Sequence, residues 1–526
     1  MTPPRGRGAR RARHRGEPKC AREAVEALLE ERLGASGFPA ALEVDAAKAV
    51  EAAAGRPRRD LTELPTFTVD PATARDFDDA VSARREGDGA RLWIHIADVA
   101  AHVRPGSPLD EEARLRANST YVPGMVEPML PHALSSDACS LAPGVERLAV
   151  SAEIELGPGA EVRSAAFYRS LIRSDARLDY DELDRIFAGR LRPPEPIAEP
   201  LALAREIASA LGERRTSSLE IESFEPEFRF DSEGNVTAAH AVQQTESHSL
   251  IEHLMILTNE QVAQLLARKR APAVYRVHAQ PDPARVEQLL AQLEALEIPT
   301  PPLPPDLSHR DAGGLAAEAS RLVMKEATRR GHGREAYTSL VLRSLKPALY
   351  SERNSGHAGL ASDAYCHFTS PIRRYPDLVV HRALLASLGE GEEPPRLGDA
   401  ARVAAHSSEQ ERESMRIERD ADDVCSAYLL DRELLERGPN TCFEGEVSGV
   451  IRKGAFVAFG GELGDVYEGF VPGRRMHGDY FELNETETAL VGRETGAAMR
   501  LGDPVAVSVA GIEPPRGRVD LELADG

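Results

Sequence analysis

Cysteine is scarce in this 526-residue chain: Cys20, Cys139, Cys366, Cys425 and Cys442 are widely scattered and form no CxxC pair. That pattern argues against a disulfide framework and against the common zinc modules. Long apolar runs are missing too, and the N-terminus has no apolar h-region, so neither a membrane span nor a secretory signal is indicated. A soluble, cytoplasmic monomer with no membrane partner is expected. Net positive charge is also lacking. A formal charge of −21 disfavours a broad polyanion-binding surface, so any contact with nucleic acid has to be local or metal-assisted.

What is present is enough apolar content, 42%, for several cores, and a length that favours two to four domains. Residues 1–20, with "PPRGRGARRARHRGEPK", are basic and aperiodic and read as a disordered tail, solvated or touching RNA. From Ala21, "AREAVEALLEERLG" places Val25, Leu28, Leu29 and Leu33 on one helical face, opening a helical lead-in over 21–59. Alternating runs such as "RLWIHIADVAAHV" read as strands, and longer helical patterns follow "PLALAREIASALGERR". Residues 60–390 therefore form a large α/β (α+β) body, with the Pro-rich "EIPTPPLPPDLSH" as an ordered loop or an exposed connection. A charged helical connector fills 391–440. From 441 to 523, short alternating strands broken by glycines, as in "CFEGEVSGVIRKGAFVAF", suit a five-stranded OB barrel.

The stretch "FTVDPATARDFDDAV", Phe67 to Val81, crowds Asp70, Asp76, Asp78 and Asp79 beside a strand. Asp-rich loops are often only solvated turns. Here Asp70 ends one strand and Asp79 opens the next, so the bend could aim several carboxylates at one point. Such crowding raises carboxylate pKa values unless a cation compensates, and all-oxygen donors select a hard ion, Mg²⁺ or Mn²⁺. Phosphodiester hydrolysis is the natural chemistry of that ion, although composition does not separate it from other metal-assisted phosphoryl chemistry.

A second dense stretch is "CHFTSPIRRYPDLVVHRAL", Cys366 to Leu384. Pro371 and Pro376 bracket "IRRY" as a rigid turn, and Asp377 is expected to cap the helix after it. Arg373 and Arg374 suit phosphate binding and surface ion pairing equally, and His367 and His381 read as ordinary structural histidines. In "HSLIEHLMILTNEQVAQLLA", Ser249 and Glu252 fit a capping box, yet Glu252 and Asn259 share a helix face and could point at a substrate path.

"TVDPATARDFDDAV", "STYVPGMVEPMLPHALSSDACSL", "LIEHLMILTNEQVA", "YRVHAQPD" and "HFTSPIRRYPDLVVHR", in this order, resemble the RNB catalytic domain of the ribonuclease II / ribonuclease R exoribonuclease family, the R type more than the II type. The barrel resembles that family's C-terminal S1 domain. The resemblance implies Mg²⁺-dependent, processive 3′-to-5′ hydrolysis of single-stranded RNA to nucleoside 5′-monophosphates. Asp70, Asp76, Asp78 and Asp79 then match the metal and catalytic carboxylates, Asp78 being the indispensable one. Arg373 matches the arginine on the scissile phosphate, Tyr121 the aromatic at the 3′-terminal nucleotide, and Glu252 an acidic residue near that end. Tyr180 matches a position near the RNA path and serves equally as a core tyrosine.

Two departures stand beside the resemblance. Only 69 residues precede Asp70, so the cold-shock domains usual before the RNB domain are not expected, and a Lys-rich tail after the barrel is also missing. Residues 442–523 hold eight Lys and Arg against fourteen Asp and Glu, which weakens their grip on RNA. Arg452, Lys453, Phe456, Phe470, Arg474, Arg475 and His477 are candidates for the barrel's contact face, Phe456 fitting the barrel core equally well. A catalytically weak or inactive RNA-binding protein is the alternative, and a metal-dependent endonuclease a third.

Overall fold

The computed structural model describes residues 18–34, 36–215, 226–241, 244–461, 464–476 and 479–524. Most of the expected basic tail and His477 lie outside the described residues.

Alternating apolar side chains build the antiparallel strands Asp79–Glu86 and Gly89–Ala97, joined by a tight turn in which Gly87, at φ 58°, supplies the positive φ required. At Gly89 the chain runs against its neighbour: a Cβ there would lie 2.0 Å from the Leu156 carbonyl oxygen. These strands sit inside a seven-stranded sheet in the order Arg59–Asp60, Val162–Arg173, Glu146–Leu156, Gly89–Ala97, Asp79–Glu86, Phe67–Val69, Ala176–Leu178. The interior pairings are antiparallel and the two edge pairings parallel.

One face of the sheet buries Leu92, Ile94 and Ile96 against Leu203, Leu254 and Leu384 of the helices Ala198–Arg214, Glu246–Lys269 and Tyr375–Leu388. A hydrogen-bonded chain of buried polar side chains crosses the strands, from Thr66 to Ser82, His95, Ser151 and Ser170. Burial pushes His95 down to about 3, so it stays neutral inside that chain.

A second apolar core joins the helices Ala21–Leu33, Pro283–Ala295, His309–Arg330 and Arg334–Ser344 to a closed five-stranded barrel. Around the barrel the order is Cys442–Ile451, Gly454–Gly461, Gly464–Pro472, Arg518–Leu523, Pro504–Glu513. Three helices from the middle of the chain thus pack with its C-terminal part. The helix Leu397–Arg437, 41 residues and about 60 Å long, places Val403 and Ala404 in the first core and Val424 and Leu430 in the second.

Three local expectations are corrected. "WIHIADVAAHV" is not one strand: Asp98 ends the strand and caps the short helix Val99–His102 through its bond from Ala101 N. The helix carrying Glu252 starts at Glu246, four residues before "LIEH", and its capping box is Thr245 with His248, because Ser249 bonds back to the Thr245 carbonyl from inside the helix. Asp377 is inside its helix and does not cap it, since its carboxylate is taken by Arg374 and the Ser370 amide.

Candidate active site

The acidic loop is held from both sides. Arg177 Nη2 donates to the carbonyls of Pro71 and Ala72 at 2.8 and 2.9 Å, and Ser140 Oγ bridges the Arg75 carbonyl and the Phe77 amide at 2.8 and 3.1 Å. Asp70 follows the strand Phe67–Val69 directly, and Asp79 opens the next one, as the sequence suggests. Fixed in this way, the loop presents its carboxylates to a cleft of about 2380 Å³ whose walls include all four aspartates, Tyr121, Tyr180, Glu252, Arg373 and Arg374.

Asp78 is buried at the floor of this cleft. Its Oδ1 accepts the Ile372 amide at 2.9 Å, and its Oδ2 lies 3.4 Å from Arg373 Nε. Burial nevertheless holds its pKa well above the carboxylate range, against the pull of Arg373. Burial likewise lifts Asp70 to about 8, with Asp79 and then Asp76 adding repulsion, and lifts Asp79 to about 6. Asp70 Oδ2 and Asp78 Oδ2 have no hydrogen-bond partner among the described residues. Two hard, buried oxygens that accept no hydrogen bond, among mutually repelling carboxylates, are what a divalent cation would relieve.

The four carboxylates do not converge on one point. Among the described residues no three or more carboxylate, imidazole or thiolate groups are gathered as a metal cage. The reason is local: Asp78 is turned to the Ile372–Arg373 backbone and guanidinium, while Asp76 Oδ2 accepts the Tyr121 hydroxyl at 3.0 Å.

Arg373 stands on a turn stitched to the segment 117–119, which leads into the strand bearing Tyr121. Its carbonyl accepts the Ser119 amide at 2.9 Å, and the Tyr375 amide reaches the Ala117 carbonyl at 2.8 Å. With 45% of its side chain exposed, the Arg373 guanidinium keeps donors free for the cleft, its Nη2 touching only Ser370 Oγ. Arg374 has the opposite fate. It is bound bidentately to Asp377 at 2.7 and 2.9 Å, so the paired guanidinium is a brace for the turn and not a free phosphate ligand.

Tyr121, 37% exposed, sits in the strand Thr120–Val122, whose amide at Tyr121 donates to Glu418 Oε1 at 2.9 Å. Tyr180 opens the helix Tyr180–Phe187 and stacks on His248 with centroids 3.9 Å apart. Burial, then Asp79 and Asp70, raise its hydroxyl pKa. Glu252 is exposed on the cleft wall, but Asn259 is not a second free group: it donates to Tyr365 OH at 3.1 Å and accepts the Phe368 amide at 2.9 Å. Its role is to hold the segment leading to Arg373.

The barrel candidates lie elsewhere. Of the described barrel-strand residues, Glu446 and Glu468 line the cleft, whereas Phe456, Arg474 and Arg475 do not. Phe456 and Phe470 are half-buried and pair with ring centroids 5.1 Å apart, Arg474 is exposed, and Arg475 faces Asp520 at 4.0 Å. Sequence reasoning missed Phe228 and Phe230, which line the cleft from the hairpin Pro226–Phe230 and Val236–Ala241. The alternation in "EFRF" was the signal available for them.

The RNB domain family model matches residues 58–390. Ribonuclease R of Escherichia coli is 34% identical over 492 residues, which is 90% of this chain and 58% of that protein. Ribonuclease R of Aquifex aeolicus is 35% identical over 477 residues, 89% of this chain and 65% of that one. The chain therefore spans between about half and two thirds of the length of these relatives. Among solved structures, Mycoplasma genitalium RNase R in complex with ribose methylated single-stranded RNA superposes with a TM-score of 0.85 at 25% identity, over 96% of this chain and 78% of that chain.

Proposed function

This chain belongs to the RNB family, and we propose that it is a 3′-to-5′ exoribonuclease of the ribonuclease R type, degrading single-stranded RNA processively to nucleoside 5′-monophosphates. The observation that carries this reading is Asp78 facing Arg373 at 3.4 Å, a buried carboxylate and a half-exposed guanidinium on the wall of one cleft. The similarity to ribonucleases R supports the substrate class.

The donor set suits Mg²⁺, with Mn²⁺ as the second choice, because Asp70 Oδ2 and Asp78 Oδ2 are buried oxygens that accept no hydrogen bond among the described residues. Asp70 and Asp78 would hold it, and Asp76 and Asp79 would complete its shell only by turning from the positions they occupy here. When bound, the ion supplies Lewis acidity at the phosphate and a water of lowered pKa. The chain's own groups do the rest. Arg373 offers a planar pair of donors to the non-bridging phosphate oxygens, and its contact with Asp78 fixes where they point. Tyr121 presents a ring that stacks on any terminal base, gripping the end without reading sequence. Glu252 accepts hydrogen bonds from the hydroxyls of the terminal ribose.

Residues 60–390 act as the catalytic domain and 441–523 as an S1-type OB barrel that adds an RNA contact through Phe456, Arg474 and Arg475. Residues 21–59 lead into the catalytic domain, and 391–440, most of them in the helix Leu397–Arg437, connect it to the barrel. The closed five-stranded barrel supports that assignment. The test is a timed digest of internally labelled single-stranded RNA with Mg²⁺, comparing wild type with Asp78→Asn. Monophosphate release by wild type alone is the expected result, and binding without any shortening by wild type sinks the proposal.

A further inference from the structure

Among the histidines of the "CHFTSPIRRYPDLVVHR" stretch, His381 is structural: it stacks on Phe368 at 4.1 Å, and its Nε2 is hydrogen-bonded to the Phe368 carbonyl at 2.8 Å. His367 is placed differently. It lines the cleft together with Thr369, Ser370 and Arg373. Its ring meets the edges of Tyr350 and Tyr365, with centroids 5.5 and 5.8 Å away, which fixes the plane of the imidazole. Its Nδ1 lies 2.9 Å from Tyr350 OH, and that phenol has no other hydrogen-bond partner among the described residues.

The phenol O–H is the stronger acid of this pair and the imidazole nitrogen the stronger base, so Nδ1 is assigned as the acceptor and the ring proton to Nε2. Burial, Arg374 and Arg276 all oppose a second proton, which keeps the imidazole neutral. Nε2 has no partner among the described residues, and it is not among the buried orphan atoms, so its N–H opens on the cleft. A neutral donor held by Tyr350 and Tyr365 on the wall that carries Arg373 is preorganised for an acceptor that arrives with the substrate.

We infer that His367 is an RNA-binding residue whose Nε2–H donates to a phosphate oxygen of the strand lying in the cleft. Phosphate is the acceptor favoured by the surroundings, because Arg373 draws the backbone to the same wall. The inference rests on RNA being the ligand of this cleft, but not on its being hydrolysed.

The test measures affinity for a single-stranded RNA in an Asp78→Asn background, so that turnover does not intervene. His367→Phe keeps the ring volume and loses the donor, and His367→Gln restores an N–H at similar reach. Affinity is expected to fall about ten- to hundredfold for His367→Phe, the range for a hydrogen bond to a charged group, and to recover in His367→Gln. Oligonucleotides with one methylphosphonate at successive positions from the 3′ end should reveal one position where the two penalties do not add.

Wild-type affinity in His367→Phe, equal weakness of the Phe and Gln variants with unchanged melting temperature, or additivity at every position would each overturn the inference. A 2′-O-methyl series in which non-additivity appears at a ribose instead would overturn it as well. A wild-type protein that binds RNA without shortening it refutes the exoribonuclease reading alone, and the affinity comparison still decides the role of His367.

Discussion

The hydroxyl of Tyr121 donates to Asp76 Oδ2 at 3.0 Å, tying the most exposed aromatic ring of the cleft to the acidic loop. The exposed ring and the acidic loop therefore share one hydrogen bond, and the ring and the bond can be separated by mutation.

Tyr121→Phe removes the bond and keeps the ring, whereas Tyr121→Ala removes both. Stacking on one base is worth about 1–3 kcal/mol, so the alanine variant should raise KM for RNA by about ten- to hundredfold and stop digestion at longer end products. The phenylalanine variant should keep KM within a few-fold. Equal defects in the two, read on a sequencing gel, would mean that the bond matters more than the ring.

Arg373→Ala should lower kcat by about 10²–10³, the usual loss for one preorganised donor on a transition-state oxyanion, with a smaller change in RNA affinity. Arg373→Lys should recover little of it, because a single ammonium does not reproduce the planar pair of donors. Single-turnover kinetics with saturating enzyme separate the two effects.

Metal-free protein should lose stability as pH rises from 7 to 8. Asp70 at about 8 and Asp79 at about 6 lie above the ordinary value of 3.8, so between pH 4 and 8 the native state holds protons that the unfolded chain has released. Those two groups contribute a negative slope of stability against pH, whereas the buried neutral imidazoles, His95 among them, contribute a positive one below their ordinary value of 6.5. Melting temperature in EDTA should therefore fall from pH 7 to pH 8, Asp70→Asn should flatten that fall, and added Mg²⁺ should stabilise wild type more at pH 8 than at pH 7. A fall between pH 7 and 8 that Asp70→Asn leaves unchanged contradicts the assignment.

Asp377→Ala leaves the Arg374 guanidinium unpaired and orphans the Ser370 amide. Breaking a buried ion pair on one side costs about 3–5 kcal/mol, so the variant should unfold at markedly lower urea. Its folded fraction should also lose kcat, because the turn that aims Arg373 has lost its brace. Replacing a free surface carboxylate would do neither.

The chemistry of the site was legible where it is local. The aspartates flank strands, and the Pro-bracketed arginines form a turn, because both features are written in a few consecutive residues. What was illegible is which partner each group meets. Nothing in "SPIRRYPD" says that Asp377 consumes Arg374 while Asp78, far away in sequence, orders Arg373. The shift of the capping box from Ser249 to Thr245 has a similar origin: Ser249 with Glu252 fits the usual short-range pattern, whereas Thr245 has a histidine three residues on, and only the packing of the helix start selects it. The amphipathic helices between Pro283 and Ser344 show an apolar face without naming the barrel as what covers it.

The long helix has a consequence of its own. Ser414 and Glu418 of this helix hold the strand bearing Tyr121, while Glu433 receives the Tyr467 hydroxyl of the barrel. From Glu418 to Glu433 the helix rises about 22 Å. The helix is thus the spacer that sets the strand bearing Tyr121 against the barrel strand bearing Tyr467, so a turn added to or removed from it between these two contacts would shift one against the other by about 5 Å.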